Sequence, residues 1–429
     1  MRVLVSAYAC EPGKGSEPGV GWNWVCQIAK FHDVWVITRA NNIQPIKAEL
    51  ARKPMPNVRW IFFDLPPWAR FWKNKRRGIH LYYYLWQIGA YWRARRLHRN
   101  IGFDLVHHVT FVKFCTPSFM ALLPVPFIWG PVGGADSTPR RFWFSLSPRG
   151  KLYELARYVA VNLARFDPVL RLTWWRTTLA LATTNATRQR IRNLGCGQVL
   201  LYPEAGLRQV EIESLGRISS RSADTFRLLS AGTLLHLKGF DLGLRAFAVF
   251  REQFPGSEYW LIGEGAERGR LEQLAQELGL TGQVSFLGAL PRFQVLERLA
   301  ECDVLLHPAL HESGGWVCLE AMAAGRPVVC LDLAGTALQV TESTGIKVAA
   351  LSPAQAVRDM ASALVQLASD PVLCARLGQE GRRRVAEQFN WNRKGDFLAE
   401  LYTKLTDGRG DVAIESFRRD PSSRSTQAS

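Results

Sequence analysis

Short apolar runs alternate with segments whose apolar residues recur at helical spacing along almost the whole chain. The first run, RVLVSAY, leads through a Gly/Pro loop into residues 21–30, where Trp24, Val25, Ile28 and Ala29 fall on one helical face. Similar runs predict strands at 34–38, 58–65, 104–109, 126–132, 179–184 and 199–203. Most lack strict alternation, as strands covered on both faces by helices do. A polar stretch at 211–225, EIESLGRISSRSADT, offers little that packs and reads as an interdomain linker. Beyond it FRLLSAG, EYWLIGEG, VSFLG, DVLLHPA and PVVCLD predict strands, separated by helices at 239–254, 267–278, 292–302 and 320–325. The simplest architecture is α/β: two doubly wound domains in tandem, 1–210 and 226–388. Residues 389–406 predict a last amphipathic helix, and the polar stretch 407–429 a disordered tail whose Arg409, Gly410, Asp411 triplet is a chance match to an adhesion motif.

Composition supports two globular domains: 429 residues, 47% hydrophobic and 21% charged, are enough for two separate cores. The eight cysteines are scattered without a CxxC pair, which suggests reduced thiols and argues against a disulfide framework or a zinc site. The first apolar run is too short for the core of a signal peptide, so a cytoplasmic chain is expected. The formal charge of +17 is unevenly spread. Residues 1–220 hold 31 Lys+Arg against 12 Asp+Glu and twelve of the fifteen tryptophans; the remainder is near neutral. The two halves therefore suit different partners.

The segment most informative about chemistry is HPALHESGGWVCLEAMAAGRPVVC. Glu312 and Glu320 stand either side of seven residues that include Gly314 and Gly315, so a turn at the glycines would let backbone approach a ligand before a helix opens. Free N–H groups at such a helix start suit a phosphate. On pattern alone, an ordinary β/α turn with two solvated acids accounts for it equally well.

That Glu-to-Glu spacing followed by AMAxGxPVV resembles the retaining glycosyltransferases of family GT4, glycosyl transferases group 1, which have the GT-B fold of two Rossmann-like domains facing a cleft. LLSAGTLLHLKGFDLGLRAF, LIGEGAERGRLEQLA and VSFLGAL follow the order that family requires, so the resemblance covers most of 226–350. It implies an N-terminal acceptor domain, a C-terminal nucleotide-sugar domain and a last helix packing back on the first. Glu320 would then bond the ribose hydroxyls, Glu312 contact the transferred sugar as a catalytic residue, the backbone of Gly314, Gly315, Trp316 and Val317 bind the diphosphate, and Lys238 add positive charge to it. The donor would be a UDP- or GDP-sugar, transferred with retention and with no required metal or other cofactor. One departure stands out: Thr233 occupies a position where the family commonly has Arg, leaving Arg245 or Arg292 as candidate substitutes.

In the first half, SEPGVGWNW resembles the family's glycine-rich loop, with Gly19 and Gly21 placed just before a helix where chain and donor come close. The strand DLVHHV offers His107 and His108; alternation lets one of them reach the cleft, with His108 preferred and the other structural. The aromatic run 79–92 is too short to span a bilayer. With the cations around it, among them Arg76, Arg77, Arg95 and Arg96, it suits an anionic membrane surface and a lipid-linked or glycan acceptor. A buried aromatic helix with a solvated basic rim is the alternative. These expectations together describe a peripheral enzyme of surface-glycan or exopolysaccharide assembly at the inner face of the cytoplasmic membrane. The rival classes are a GT-B scaffold that has lost catalysis, for which Thr233 is the hint, and a basic nucleic-acid binder. No RNP, KH or zinc-finger pattern supports the latter, so no nucleic-acid partner is expected.

Overall fold

The computed structural model describes residues 1–70, 78–217 and 225–407. Most of the expected linker's second half, the cations Lys73, Lys75, Arg76 and Arg77, and residues 408–429 with the Arg409 to Asp411 triplet lie outside the described residues. Two compact units form. One holds Met1–Gly134, Arg165–Tyr202 and the described residues from Gly395 on; the other holds Ala135–Ala164 and Pro203–Lys394.

The first unit is built on seven parallel strands: β1 (Arg2–Ala7), β2 (Asp33–Thr38), β3 (Val58–Phe62), β4 (Leu105–Thr110), β5 (Phe127–Val132), β6 (Leu179–Ala182) and β7 (Val199–Leu201). Their order is β3-β2-β1-β4-β5-β6-β7, so the winding reverses between β1 and β4. All six residues of β4 and of β5 are buried, which is why these runs show no alternation. Helices cover them with large rings: Trp129 of β5 stacks on Trp174 at 3.9 Å between centroids, and Trp24 and Trp86 are fully buried. The helix Ile79–Ile101 turns Tyr82, Tyr83, Trp86, Gln87, Ala90 and Ala94 into this core. The aromatic run read as an interfacial surface is therefore largely interior, leaving Leu81 and Trp92 as its exposed large apolar side chains.

The second unit has six parallel strands: β8 (Arg227–Ala231), β9 (Glu258–Ile262), β10 (Val284–Gly288), β11 (Val304–His307), β12 (Val328–Leu331) and β13 (Gly345–Val348). The order is β10-β9-β8-β11-β12-β13, with the reversal between β8 and β11. One core cluster gathers Phe240, Phe247, Tyr259, Leu306 and Leu364, and a second Leu229, Leu305, Leu319, Met322 and Phe389. Phe142 and Leu146 belong to the first of these clusters, which draws the segment Ala135–Ala164 into the second unit although it precedes β6 in the chain. The opening of the polar stretch at 211–225 is ordered as the helix Gln209–Gly216, because Ile212 and Leu215 find apolar cover and Glu211 accepts from the backbone N–H of Arg208 at 2.8 Å.

Candidate functional site

In open α/β sheets ligands bind beyond the carboxyl ends of the strands, where the winding reverses. In the second unit that point is flanked by the loop after β8, which carries Lys238, and the loop after β11, which carries Glu312. The backbone N–H groups of Leu310 and His311 both donate to the carbonyl of Leu237, at 2.9 and 3.2 Å, and hold the two loops together. Lys238 Nζ donates to Glu312 Oε2, a pair joined across 74 residues of sequence. His307, the last residue of β11, is 4% exposed and places its Nε2 3.9 Å from the same carboxylate oxygen.

This arrangement sets the charges. Burial by itself would raise the Glu312 carboxyl, but the Lys238 ammonium, His307 and the Gly315 N–H outweigh it and hold the group down at about 2. Burial pulls His307 down to about 4, with the nearby Lys238 charge adding to it, so its ring is neutral at pH 7. At neutral pH the point of reversal thus presents an ammonium and a carboxylate already ordered against each other.

Gly315 starts the helix Trp316–Ala323 in a left-handed conformation, φ 49°, and a Cβ there would meet Gln339 Oε1 at 2.3 Å. Only glycine meets both demands. Gln339 in turn donates from Nε2 to the Gly314 carbonyl, and the Gly335 N–H donates to the Glu312 carbonyl at 2.7 Å. The loop is therefore clamped by its own unit, and Trp316 and Val317 form the helix's first turn rather than the end of the loop. Glu320 lies on the next turn, 6% exposed. Its Oε1 accepts from both Nη2 and Nε of Arg292, at 2.7 and 2.9 Å, and Arg292 also reaches Glu211. Burial pushes the Glu320 carboxyl up against the pull of Arg292. Arg292 is thus engaged by two carboxylates, and Arg245 lines a separate cavity with Arg251, Glu252 and Glu277. Lys238 is the cation that the structure puts beside Glu312.

In the first unit the helix begins at Ser16, not after Gly21, so Gly19 and Gly21 lie inside it and are buried. The sequence pattern hid this because the first turn carries no large apolar side chain. A Cβ on Gly21 would meet the Ala9 carbonyl oxygen at 2.1 Å and Thr110 Cγ2 at 2.8 Å, so this glycine lets the helix pass against the loop after β1 and the end of β4. Gly21→Val is expected to cost about 3 kcal/mol through overpacking. Equal thermal midpoints for the variant and the wild type would remove that role. Glu17, on the same first turn, accepts from the Phe111 N–H, and burial raises its carboxyl.

His107 and His108, of which one was expected to reach the cleft, are both 0% exposed. The Gly130 carbonyl can only accept, so His107 Nε2 donates to it at 2.8 Å and Nδ1 accepts from the Tyr402 hydroxyl. By the same reasoning His108 Nε2 donates to the Thr110 carbonyl at 3.0 Å, and Nδ1 accepts from Ser118 Oγ at 2.7 Å. Adjacent residues of a strand point to opposite faces, but here helices cover both. Burial draws His107 down to about 3 and His108 to about 4. Within this unit both are hydrogen-bonded core residues.

The family profile described as "Glycosyl transferases group 1" matches residues 213–384, which include Lys238, Glu312 and Glu320. Over that stretch the chain is similar to the glycosyl transferases group 1 family. The chain is 32% identical over 203 residues to a D-inositol 3-phosphate glycosyltransferase of Streptomyces avermitilis, covering 44% of the chain and 43% of that protein. It spans about half the length of the curated relatives it matches. Sucrose-phosphate synthase from Thermosynechococcus elongatus shares its fold with a TM-score of 0.64 at 19% identity, over 95% of this chain and 99% of the other. HepE of Anabaena, in complex with UDP and glucose, does so with a TM-score of 0.59 at 19% identity, over 94% and 100%. At such identities the likeness concerns the fold, two Rossmann-like domains of the GT-B type.

Sequence reasoning missed His307 and the Arg292 to Glu211 link. His307 stands inside the motif HPALHES, but its distance from Glu312 depends on how the loop after β11 turns. The Arg292 network joins two helices and the stretch read as linker, and no local spacing announces it. Among the described residues no group of three or more His, Cys, Asp or Glu side chains is placed to hold a metal ion. No helix among them is long and apolar enough to cross a membrane.

Proposed function

We propose that the protein is a retaining glycosyltransferase that moves a sugar from a UDP- or GDP-sugar to a glycan or lipid-linked saccharide in surface-glycan or exopolysaccharide assembly, working peripherally at the cytoplasmic face of a membrane. The observation that carries this reading is the Lys238 to Glu312 pair at the winding reversal of the domain that matches the family. In it, Lys238 and the first N–H groups of the helix Trp316–Ala323 offset the charge of the leaving diphosphate. Glu312 exchanges its contact with Lys238 for the hydroxyls of the sugar and orients the ring. Glu320, kept in place by Arg292, accepts from the ribose hydroxyls. The departing β-phosphate oxygen accepts the acceptor's proton as the new glycosidic bond forms on the face the nucleotide leaves. The chemistry of relatives supports the donor class: HepE was solved with UDP and glucose.

Isothermal titration with UDP and with GDP in EDTA tests the donor assignment directly. Binding of one of them in the micromolar range is expected, and its weakening by Lys238→Ala would tie it to this site. Absence of heat with both nucleotides would remove the assignment.

A further inference from the structure

The helix Pro148–Leu163 is inverted relative to an ordinary surface helix. Its buried residues are Gly150 and Glu154, and with the half-buried Arg157 they form one stripe at helical spacing. That stripe meets polar groups of its own unit. A Cβ on Gly150 would lie 3.1 Å from His236 Cγ, the Glu154 carboxylate stands 3.5 Å from His236 Nε2, and Arg157 Nη2 is 2.7 Å from His311 Nε2. The apolar residues face away: Leu152 is 68% exposed, Leu155 51%, Val159 46% and Leu163 61%. Phe144, in the turn Arg140–Ser145 beside the helix, is 86% exposed. Between turn and helix lies a cavity of about 760 Å³ lined by Trp143, Phe144, Leu152, Leu155 and Tyr158. An apolar face of this extent, with a polar seam inside, marks a surface that is covered in use.

Charge selects what covers it. Arg140, Arg141, Arg149 and Lys151 border the apolar face and form no ion pair among the described residues. The single acidic residue between positions 137 and 164 is Glu154, and it is turned inward. A partner that is apolar at depth and anionic at its rim fits both features. We propose that the helix Pro148–Leu163 and the turn Arg140–Ser145 form the docking face for an anionic lipid bilayer. Leu152, Leu155, Val159 and Phe144 enter the boundary between headgroups and acyl chains, and the four cations meet the headgroups. The cavity admits the end of an acyl chain. This face replaces the helix Ile79–Ile101, whose rings Tyr82, Tyr83 and Trp86 are buried, as the membrane contact. The inference deepens the proposed reading by naming the surface, and it is tested without turnover.

The experiment is flotation of the full chain with vesicles of phosphatidylcholine alone or mixed equally with phosphatidylglycerol, at low and high salt. Wild type is expected to float with the anionic vesicles, about tenfold less with the neutral ones, and less at high salt. Leu155→Gln with Val159→Gln, and separately Arg140→Glu with Arg141→Glu, are expected to lower recovery about tenfold while thermal midpoints stay unchanged. Trp92→Gln on the other helix is expected to float like wild type. Equal recovery of the α-helical and cationic variants with wild type overturns the proposal, as does wild type remaining at the bottom of every gradient. A lipid-free dimer that Leu155→Gln with Val159→Gln dissolves also overturns it, in favour of a second copy as the cover. UDP titration of the same samples keeps the two readings apart: binding without flotation ends the docking face alone, and flotation without nucleotide binding ends the donor reading alone.

Discussion

Glu312→Gln and Lys238→Ala are each expected to lower kcat by about 100- to 1,000-fold, the range that follows removal of one preorganised electrostatic group. The two variants should differ in how they fail. On the proposed reading Lys238→Ala removes a charge that would face the diphosphate in ground and transition states, so KM for the donor should rise as kcat falls. Glu312→Gln keeps the shape and most of the hydrogen bonding but loses the charge, so its effect falls mainly on kcat. Neither side chain fills a core: both are 19% exposed, and the loops that carry them are held by backbone bonds at Leu237 and Gly335. Thermal midpoints should therefore stay close to wild type. Because Glu312 is held at about 2, its ionised form persists through the whole acid range in which the fold survives. The stability that its pairing adds is fully present above the ordinary carboxylate value near 4.5 and is lost only as pH falls through about 2. Rates measured from pH 8 to 5 should accordingly show no inflection from this residue. Wild-type turnover in both variants, with a sugar-nucleotide assay, would take the pair out of the active site.

Mild acid is expected to destabilise the first unit strongly. His107 and His108 have folded values of about 3 and 4 against an ordinary 6.5, with burial as the main cause. Below pH 6.5 the unfolded chain therefore holds protons on these rings that the folded chain does not, and stability falls as pH falls, until the folded values are reached. Each ring contributes about 1.4 kcal/mol per pH unit in that window, so the pair lowers stability by on the order of 5 kcal/mol between pH 6.5 and 4.5. The structural reason is burial: both rings are 0% exposed, so a charge placed on either one gives up its hydration. Hydrogen exchange of the amides of β4 at pH 7 and pH 5 measures this, since they report the opening of this sheet. The same protection at both values, after correction for intrinsic exchange, would show that the rings are not held neutral. A His107→Gln, His108→Gln double variant should be less stable at pH 7 and show a flatter dependence below it.

How much of this was legible beforehand follows from what kind of signal each feature leaves. Every predicted strand appears in the two sheets, because a strand covered on both faces must be a short apolar run whatever surrounds it. β13 is the exception; its GIKV is too short and polar to stand out, and it is a strand because β12 offers it an edge. The candidate site was equally local in origin. Lys238 with its following glycine, and the Glu312 to Glu320 segment, are contiguous motifs whose chemistry can be named residue by residue. The helix start was placed too late, leaving Gly19 and Gly21 in the loop before it, since a first turn without large apolar residues or a side-chain cap leaves no periodicity to read.

The sequence by itself determined the two doubly wound α/β domains, the family motif with its two glutamates and lysine, and the concentration of cations and tryptophans in the first half. Tertiary structure alone decided which of those residues meet. It joined Lys238 to Glu312 across 74 positions and Arg157 to His311 across 154. It closed both faces of β4 over His107 and His108, and it drew the basic segment Ala135–Ala164 into the unit of the other sheet. It also turned Tyr82, Tyr83 and Trp86 of Ile79–Ile101 inward and left Tyr153 and Tyr158 of Pro148–Leu163 exposed. The reason is physical: periodicity records how a segment presents its own side chains, whereas burial, pairing and protonation depend on the surface that arrives opposite, which distant parts of the chain supply.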